Sequence, residues 1–304
     1  MTWARLAFRL QRSSIGFAAL VCLGLAALGA WLALSLPSML ARCDVPNPMD
    51  QCGTVYLFGS PMGDPALLFY LGIGVAMYAV PVVLGAPVLP SEVERRTAMI
   101  AWPLARSRMK WLAWRAGSVL VIGVVLVAFM ALAAEALADA QDGELGFAYH
   151  GARGISLVTR AALMLVVAVV IGAVIGKLLP SLLVGGALAL GLSVVLQVLP
   201  PYGVVSTELT AAEMSGYPFT TGHAYRAPDG VPIGEDEANE ISQAAYAEYS
   251  PDFPPDSVLP YSVSYGIAGS RYFEVLARES AVLVGATIAA GAAAAFVVSR
   301  RRPE

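Results

Sequence analysis

Residues 155–199 read ISLVTRAALMLVVAVVIGAVIGKLLPSLLVGGALALGLSVVLQVL, two long apolar runs that meet at Lys177 and Pro180. Apart from Lys177, the charge they contain is Arg160, near the beginning of the first run. The hydrocarbon core of a bilayer is about 30 Å thick, and a helix needs about 20 apolar residues to cross it. Each run is long enough, so this sequence predicts two consecutive transmembrane helices.

Four other stretches of the chain have a similar length and apolar character. The six predicted spans are residues 14–36, 65–89, 116–134, 155–176, 181–199 and 280–298. The composition agrees, since 58% of the 304 residues are hydrophobic and 13% are charged, against about 45–50% and 25% in soluble domains. The first span is longer than the core of a cleavable signal peptide and is therefore an anchor. We expect an all-α polytopic membrane protein with six transmembrane helices.

The positions of lysine and arginine predict the orientation of the spans. Of the 19 basic residues, 13 lie in segments 1–13, 90–115, 177–180 and 299–304. Of the 22 acidic residues, 19 lie in segments 37–64, 135–154 and 200–279. Basic residues collect on the cytoplasmic side of membrane proteins, so the first set of segments is inner and both termini are cytoplasmic. The expected location is the plasma membrane.

Two of the three cysteines, Cys43 and Cys52, lie in the first predicted outer loop, and Cys22 lies within the first span. An outer location is oxidising and the two loop cysteines are close in sequence, so we predict a disulfide between them. Two free thiols near the interface are the alternative. Cys22 is expected to be buried in lipid or in helix packing.

Residues 1–13 have an amphipathic pattern. On a helix, one face carries three apolar side chains and another carries three arginines, namely Trp3, Ala7 and Leu10, and Arg5, Arg9 and Arg12. The pattern predicts an interfacial helix whose apolar face enters the inner leaflet while its arginines meet anionic headgroups. The alternative is a short basic flank that only fixes the topology.

The predicted cytoplasmic segment 90–115 begins PSEVERRTAMIAWPLARSRMKW. Ser91 is able to cap a helix with Glu92 and Glu94 in its first turn, where the helix dipole favours acids. This helix ends just before Pro103. The segment carries four apolar residues that a solvated loop does not need, Val93, Met99, Ile100 and Trp102. They favour a surface that another protein covers, whereas a plain solvated loop accounts for the arginines alone.

This pattern of an acidic pair, Arg, Thr, a later Pro and Ser-Arg before a basic, aromatic helix start resembles the first cytoplasmic loop of ABC-2 type permeases. These are the membrane subunits of ATP-driven exporters, and the likeness is greatest to actinobacterial ones. The matching positions are Glu92, Glu94, Arg95, Thr97, Pro103, Ser107 and Arg108. The resemblance implies a coupling helix that docks into a groove of a separate ATPase, with the N-terminal helix as a second contact.

One position departs from the family pattern. Arg96 stands where the family commonly has Gly, so the backbone here is expected to continue as helix where relatives bend. We predict that the matching residues, together with Arg96 and Trp102, couple the chain to its ATPase.

The last predicted outer region contains eleven aromatic residues between positions 200 and 274. Disordered acidic segments are poor in aromatics, so we expect residues 200–279 to form a folded extracellular lid, followed by the last span and a basic tail in 280–304. Short helices are predicted at 206–214, capped by Ser206, and at 236–249. An acidic cluster there has the oxygen ligands for a cation, but its spacing favours a solvated helix face: Glu235, Asp236, Glu237 and Glu240.

The sequence lacks several kinds of chemistry. It contains no Gly-x-Ser-x-Gly, no His-Glu-x-x-His and no phosphate-binding loop, and both histidines, His150 and His223, lie outside the predicted spans. The charged residues nearest the spans, Arg160 among them, lie at span ends, where Arg160 is expected to snorkel to the interface. The chain therefore needs a partner that supplies energy.

These observations favour the transmembrane permease subunit of an ATP-driven ABC-2 type exporter. The family resemblance implies two cytoplasmic ATPase subunits, which hold ATP and Mg²⁺, and a second permease chain in a homodimer or heterodimer. No cofactor is expected on this chain, and its other contacts are with membrane lipids and not with nucleic acid. Two alternatives remain open: a membrane sensor or scaffold whose outer lid recognises a ligand, and a membrane-embedded lipid-modifying enzyme.

Overall fold

The computed structural model describes residues 3–40, 65–90, 94, 108–141, 146–198, 202–249 and 253–300. Within these residues, six helices are long and apolar enough to cross a membrane, which confirms the predicted six-span, polytopic architecture. They are α1 (Trp3–Leu40), α2 (Pro65–Gly85), α3 (Arg108–Gln141), α4 (Gly154–Ile175), α5 (Leu178–Val198) and α8 (Tyr272–Arg300). The described chain divides into two compact units.

Helix α1 is one continuous element from Trp3 to Leu40. The predicted interfacial helix 1–13 therefore joins the first span without a break. The side chains of residues 3–10 lie outside the described part of the chain, so the amphipathic role of this segment stays a prediction. Further along α1, Cys22 is buried and free, as expected.

Helices α3 and α8 are longer than the spans predicted from hydropathy. Helix α3 has 34 residues, which correspond to about 50 Å at 1.5 Å per residue, well beyond the bilayer core. Helix α8 begins eight residues before the predicted start of the last span. Glu135 and Glu279, which were placed in outer segments by the sequence, therefore lie on these long helices and not in loops, and their position relative to the membrane stays a prediction.

The interior of the first unit is formed where α2, α3 and α4 pack together. Its largest fully buried side chains include Phe69, Ile73 and Leu84 of α2, Met130 and Leu137 of α3, and Leu157 and Met164 of α4. Helices α2 and α4 come very close, because a Cβ at Gly85 would lie 2.6 Å from the Leu165 carbonyl oxygen. Small residues allow this backbone contact between membrane helices.

Proline and glycine mark the ends of α2 and α4. Helix α2 contains Pro81 but ends at Gly85, where a short 3₁₀ turn, Ala86–Val88, includes Pro87. Gly172 packs against the Ala86 backbone, but Gly176 adopts φ 71° and ends α4. The two glycines, four residues apart, therefore have different roles: Gly172 allows a close helix contact and Gly176 ends the helix.

The second unit contains a four-stranded antiparallel sheet that the sequence analysis did not predict. Its strands are β1 (Thr207–Glu208), β2 (Phe219–Arg226), β3 (Pro232–Ile233) and β4 (Tyr261–Ile267), in the order β1-β4-β2-β3. Two helices belong to this unit, the short α6 (Ala211–Ser215) and α7 (Glu235–Glu248). The ring of Phe147 packs edge-on against Phe219 and Tyr272, which adds to a small aromatic interior.

Of the two helices predicted for this region, one agrees with the structure. Helix α7 matches the predicted helix 236–249 within one residue at each end. The helix predicted at 206–214 is wrong, because Thr207 and Glu208 pair with β4 and α6 begins only at Ala211. The cap is Thr210, not Ser206. The role of residues 200–279 as an extracellular lid stays a prediction.

Candidate functional site

A cavity of about 760 Å³ lies in the first unit, between α2 and α5, with Arg160 of α4 and the turn formed by residues 149–153 at one end. Cavities of about 300–1,000 Å³ commonly hold small molecules in proteins. Several wall residues, including Leu71 and Val75 of α2 and Leu190 of α5, are exposed, so the cavity is open along one side.

The two ends of the cavity differ in polarity. Helices α2 and α5 contribute Val82 and Leu182 at one end, and the other end is near the 149–153 turn. The polar lining residues, which lie towards the turn end, are Tyr70, Tyr78, Tyr149, His150, Arg160, Ser193 and Gln197. Tyr70 stacks on Tyr149 with ring centroids 3.7 Å apart, and its hydroxyl donates to the Ala134 carbonyl at 3.3 Å.

A buried ion cluster lies behind this polar end. The Glu279 side chain is fully buried, and its Oε1 accepts from Arg160 Nε and Nη2, each at 2.6 Å. Its Oε2 accepts from Ser156 Oγ at 3.0 Å and lies 2.9 Å from His150 Nε2. Buried charges are tolerated when they are paired and hydrogen-bonded, and here both carboxylate oxygens are. We call Glu279, Arg160, His150 and Ser156 the ion cluster.

The local sequence explains how the 149–153 turn wraps the arginine. Gly151 has φ +85°, and a Cβ at this position would overlap the Arg160 guanidinium. Gly154, with φ +57°, then begins α4. Arg153 pairs with Glu135 of α3 at 3.1 Å, which ties the turn to a second helix. The turn thus brings His150 to a carboxylate that lies 129 positions later in the chain.

The structure corrects one expectation about these residues. Arg160 does not snorkel to the interface, since only 2% of it is exposed and it pairs with Glu279. His150 lies outside the spans, as expected, but its side chain contacts Glu279 of α8. Sequence reasoning missed the cluster, although the available signal was a set of ionisable residues of both signs at the ends of predicted spans.

Most of the predicted ATPase-coupling residues lie outside the described residues, namely Glu92, Arg95, Arg96, Thr97, Trp102, Pro103 and Ser107. Arg108 begins α3, but its side chain is also outside the described part. Glu94 is described, and its Oε1 accepts a hydrogen bond from the Leu178 backbone nitrogen at 2.8 Å. Leu178 is the first residue of α5, where the helix dipole favours a negative charge.

Two further predicted features are the disulfide and the acidic cluster. Cys43 and Cys52 lie outside the described residues, so their disulfide stays a prediction. In the described part of the chain, no group of three or more His, Cys, Asp or Glu residues is placed to hold a metal ion. The acidic cluster falls at the start of α7, with Glu235, Asp236 and Glu237 in the first turn of the helix.

Six helices long and apolar enough to cross a membrane, with a cavity whose polar end is backed by an ion cluster, define a polytopic helical membrane protein. A comparison with family profiles then gives the particular family. The chain belongs to the ABC-2 membrane transporter related family, whose profile matches residues 15–200, well over half of the chain. The protein is therefore a membrane transporter permease, which confirms the resemblance seen in segment 90–115. A search of curated proteins and a search of solved structures each find no match.

Proposed function

We propose that this chain is the permease subunit of an ATP-driven ABC-2 type exporter. In this proposal two permease chains, identical or different, enclose the transport path and two cytoplasmic ATPase subunits drive it. Both termini and segment 90–115 face the cytoplasm. Membership of the family and the concentration of 13 of the 19 basic residues in the predicted inner segments support this arrangement.

The observation that carries the coupling role is the hydrogen bond between Glu94 and Leu178. Glu94 belongs to segment 90–115, and Leu178 begins the helix that forms one wall of the cavity. A displacement of segment 90–115 by an ATPase therefore reaches α5 through a direct contact. Residues of α5 such as Leu182 and Gly186, one and two turns further along, line the cavity.

The division of labour between chains follows from the sequence. This chain has no phosphate-binding loop, so ATP and Mg²⁺ belong to the partner subunit. The permease contributes the path and its cavity. Export, as opposed to import, is proposed from the family resemblance of segment 90–115.

The test is purification of the chain from its native membranes, with measurement of associated ATP hydrolysis. We expect an ATPase subunit to co-purify and its Mg²⁺-dependent activity to increase when the permease is present. Glu94→Lys should lower this stimulation at least about tenfold, because a hydrogen bond to a charged group contributes about 1.5–3 kcal/mol. Glu94→Gln retains an acceptor oxygen, so its stimulation of ATP hydrolysis should lie between those of the wild type and Glu94→Lys.

A matched control is Glu248→Lys, which inverts an exposed acid at the end of α7, far along the chain from segment 90–115. It should leave the stimulation unchanged. Equal stimulation by wild type and Glu94→Lys would refute the coupling role. Purification of the intact chain from native membranes with no ATPase at all would refute the exporter.

A further inference from the structure

We propose that the cavity between α2 and α5 binds an amphipathic molecule, an alkyl chain with an anionic phosphate or carboxylate head. The head lies beside His150 and Arg160, and the chain extends along α2 towards Val82. This inference rests on the proposed function as a permease and names the class of molecule that it carries.

The length of the cavity fits an extended chain. Its lining residues on α2 run from Tyr70 to Val83, a distance of about 20 Å at 1.5 Å per residue. This is about two thirds of the bilayer core, so the cavity is long enough for the head and tail together of a medium-chain amphiphile. The exposed wall residues leave its side open, which gives such a molecule a way in.

The far half of the cavity has an apolar lining. Its walls there are Val82 and Val83 of α2 and Leu182 and Gly186 of α5. Each methylene group that moves from water into such surroundings gains about 0.8 kcal/mol. A free phosphate or another small polar anion gains nothing from this half, so the geometry favours a molecule with a long tail.

The turn end of the cavity is lined by basic and phenolic side chains, which suit an anionic head. Arg160 and His150 line the cavity there, next to the phenols of Tyr78 and Tyr149. None of the described lining residues is acidic, because the Glu279 carboxylate lies behind Arg160 and is fully buried. Arg160 uses Nε and Nη2 for Glu279, which fixes the orientation of the guanidinium without placing a negative charge at the cavity surface.

Photolabelling of the full chain in native membrane vesicles tests the proposal. The probe is dodecyl phosphate with a diazirine at the end of its chain, and labelled peptides are mapped by mass spectrometry. We expect saturable labelling near Val82 and Leu182. Unlabelled dodecyl phosphate should displace the probe at concentrations at least about tenfold lower than dodecanol does, since dodecanol lacks the anionic head. Inorganic phosphate should not displace it.

Two of these competition results would overturn the assignment. Equal competition by dodecanol would show that the anionic head is not recognised. Displacement by inorganic phosphate alone would show a site for the free anion and not for an amphiphile.

Glycine variants separate the cavity from the general lipid surface. Gly186 lines the cavity and an added Cβ there meets no atom within 4 Å, so Gly186→Leu should occupy part of the cavity, and Gly74→Leu should do the same from α2. Both variants should lose at least about 90% of the saturable labelling. Gly191→Leu is the control, because it is on the same helix, is equally uncrowded and does not line the cavity. Labelling of both filled variants at the wild-type level would overturn the proposal.

The labelling needs neither ATP nor an ATPase, so its failure is distinct from failure of the exporter. An associated ATPase without saturable labelling would refute the cavity assignment alone. Saturable labelling without any ATPase would support the cavity assignment and refute the exporter.

Discussion

Glu279 is the residue on which the ion cluster depends, because its carboxylate binds Arg160, His150 and Ser156 at once. Such a group is costly to remove, since its partners remain buried. A buried ion pair contributes little to net stability, but removing only one of its two partners costs about 3–5 kcal/mol.

We predict that Glu279→Ala destabilises the protein by about 3–5 kcal/mol, because it leaves the Arg160 charge buried without its carboxylate. Thermal unfolding of the detergent-purified protein measures this. Glu274→Ala is the control: Glu274 pairs with Arg271 at a partly exposed site, so its loss should cost no more than about 1 kcal/mol. Similar melting temperatures for the two variants would contradict the central role of Glu279.

Gly151 gives a second prediction at the residue scale. A non-glycine residue at φ +85° is strained, and its Cβ would overlap the Arg160 guanidinium. Gly151→Ala should therefore cost roughly 1–3 kcal/mol of stability. Gly24→Ala on α1 is the matched change, since its Cβ meets nothing within 4 Å, and it should be neutral or stabilising. Equal melting temperatures for Gly151→Ala and Gly24→Ala would contradict this prediction.

At the scale of single elements, α6 shows a signal that was present in the sequence and was not used. Thr210 and Glu213 form a capping box: the Thr210 hydroxyl accepts from the Glu213 nitrogen, and the Glu213 carboxylate accepts from the Thr210 nitrogen at 2.8 Å. The hydrogen bond from the Thr210 backbone nitrogen contributes most to lowering the pKa of Glu213, and the bond from the Thr210 side chain contributes next. The Thr-x-x-Glu spacing identifies the true start of the helix.

The lowered pKa of Glu213 predicts how α6 responds to acid. A carboxyl group with a lower pKa in the folded state stabilises the fold above its unfolded pKa, and this contribution is lost as the pH falls through the folded pKa. Amide exchange in α6, corrected for intrinsic rates, should therefore rise in acid. Glu213→Gln should reduce this acid-dependent rise, and a rise of the same size in the variant would contradict the role of the carboxylate.

Helices and sheet differed in how well the sequence predicted them. The six spans were predictable because each is a local run of apolar residues. The sheet was not, because β1 and β3 have two residues each and are fixed by pairing with distant strands. The ends of α3 and α8 were also missed, since charged residues such as Glu135 and Glu279 usually mark loops but are paired here.

At the scale of the whole molecule, the family profile ends at residue 200. It covers both walls of the cavity and the Arg160, His150 and Ser156 members of the ion cluster, but not Glu279 on α8. The cavity walls were within reach of sequence reasoning, because they belong to predicted spans. The ionisable members of the ion cluster were also visible at span ends, but their pairing was not, because its hydrogen bonds join residues 119 and 123 positions apart.

The predicted topology is testable across the whole chain. In a background without Cys22, Cys43 and Cys52, Ala105→Cys should resist an impermeant thiol reagent added to intact cells, because segment 90–115 is predicted to be cytoplasmic. Val231→Cys is the counterpart, since Val231 is exposed in the second unit and is predicted to face outwards. Labelling of position 105 from outside would reverse the orientation of every span.

The separation of Arg160 from Glu279 has a consequence for biosynthesis. Helix α4 leaves the ribosome 119 residues before its counterion does, which corresponds to roughly 6–24 s at roughly 5–20 residues per second. During that interval Arg160 lacks the carboxylate that pairs with it in the folded chain. Helix α8 therefore supplies the carboxylate that neutralises Arg160 of α4. Chains that end before α8 should be recognised by the cell's quality control and degraded.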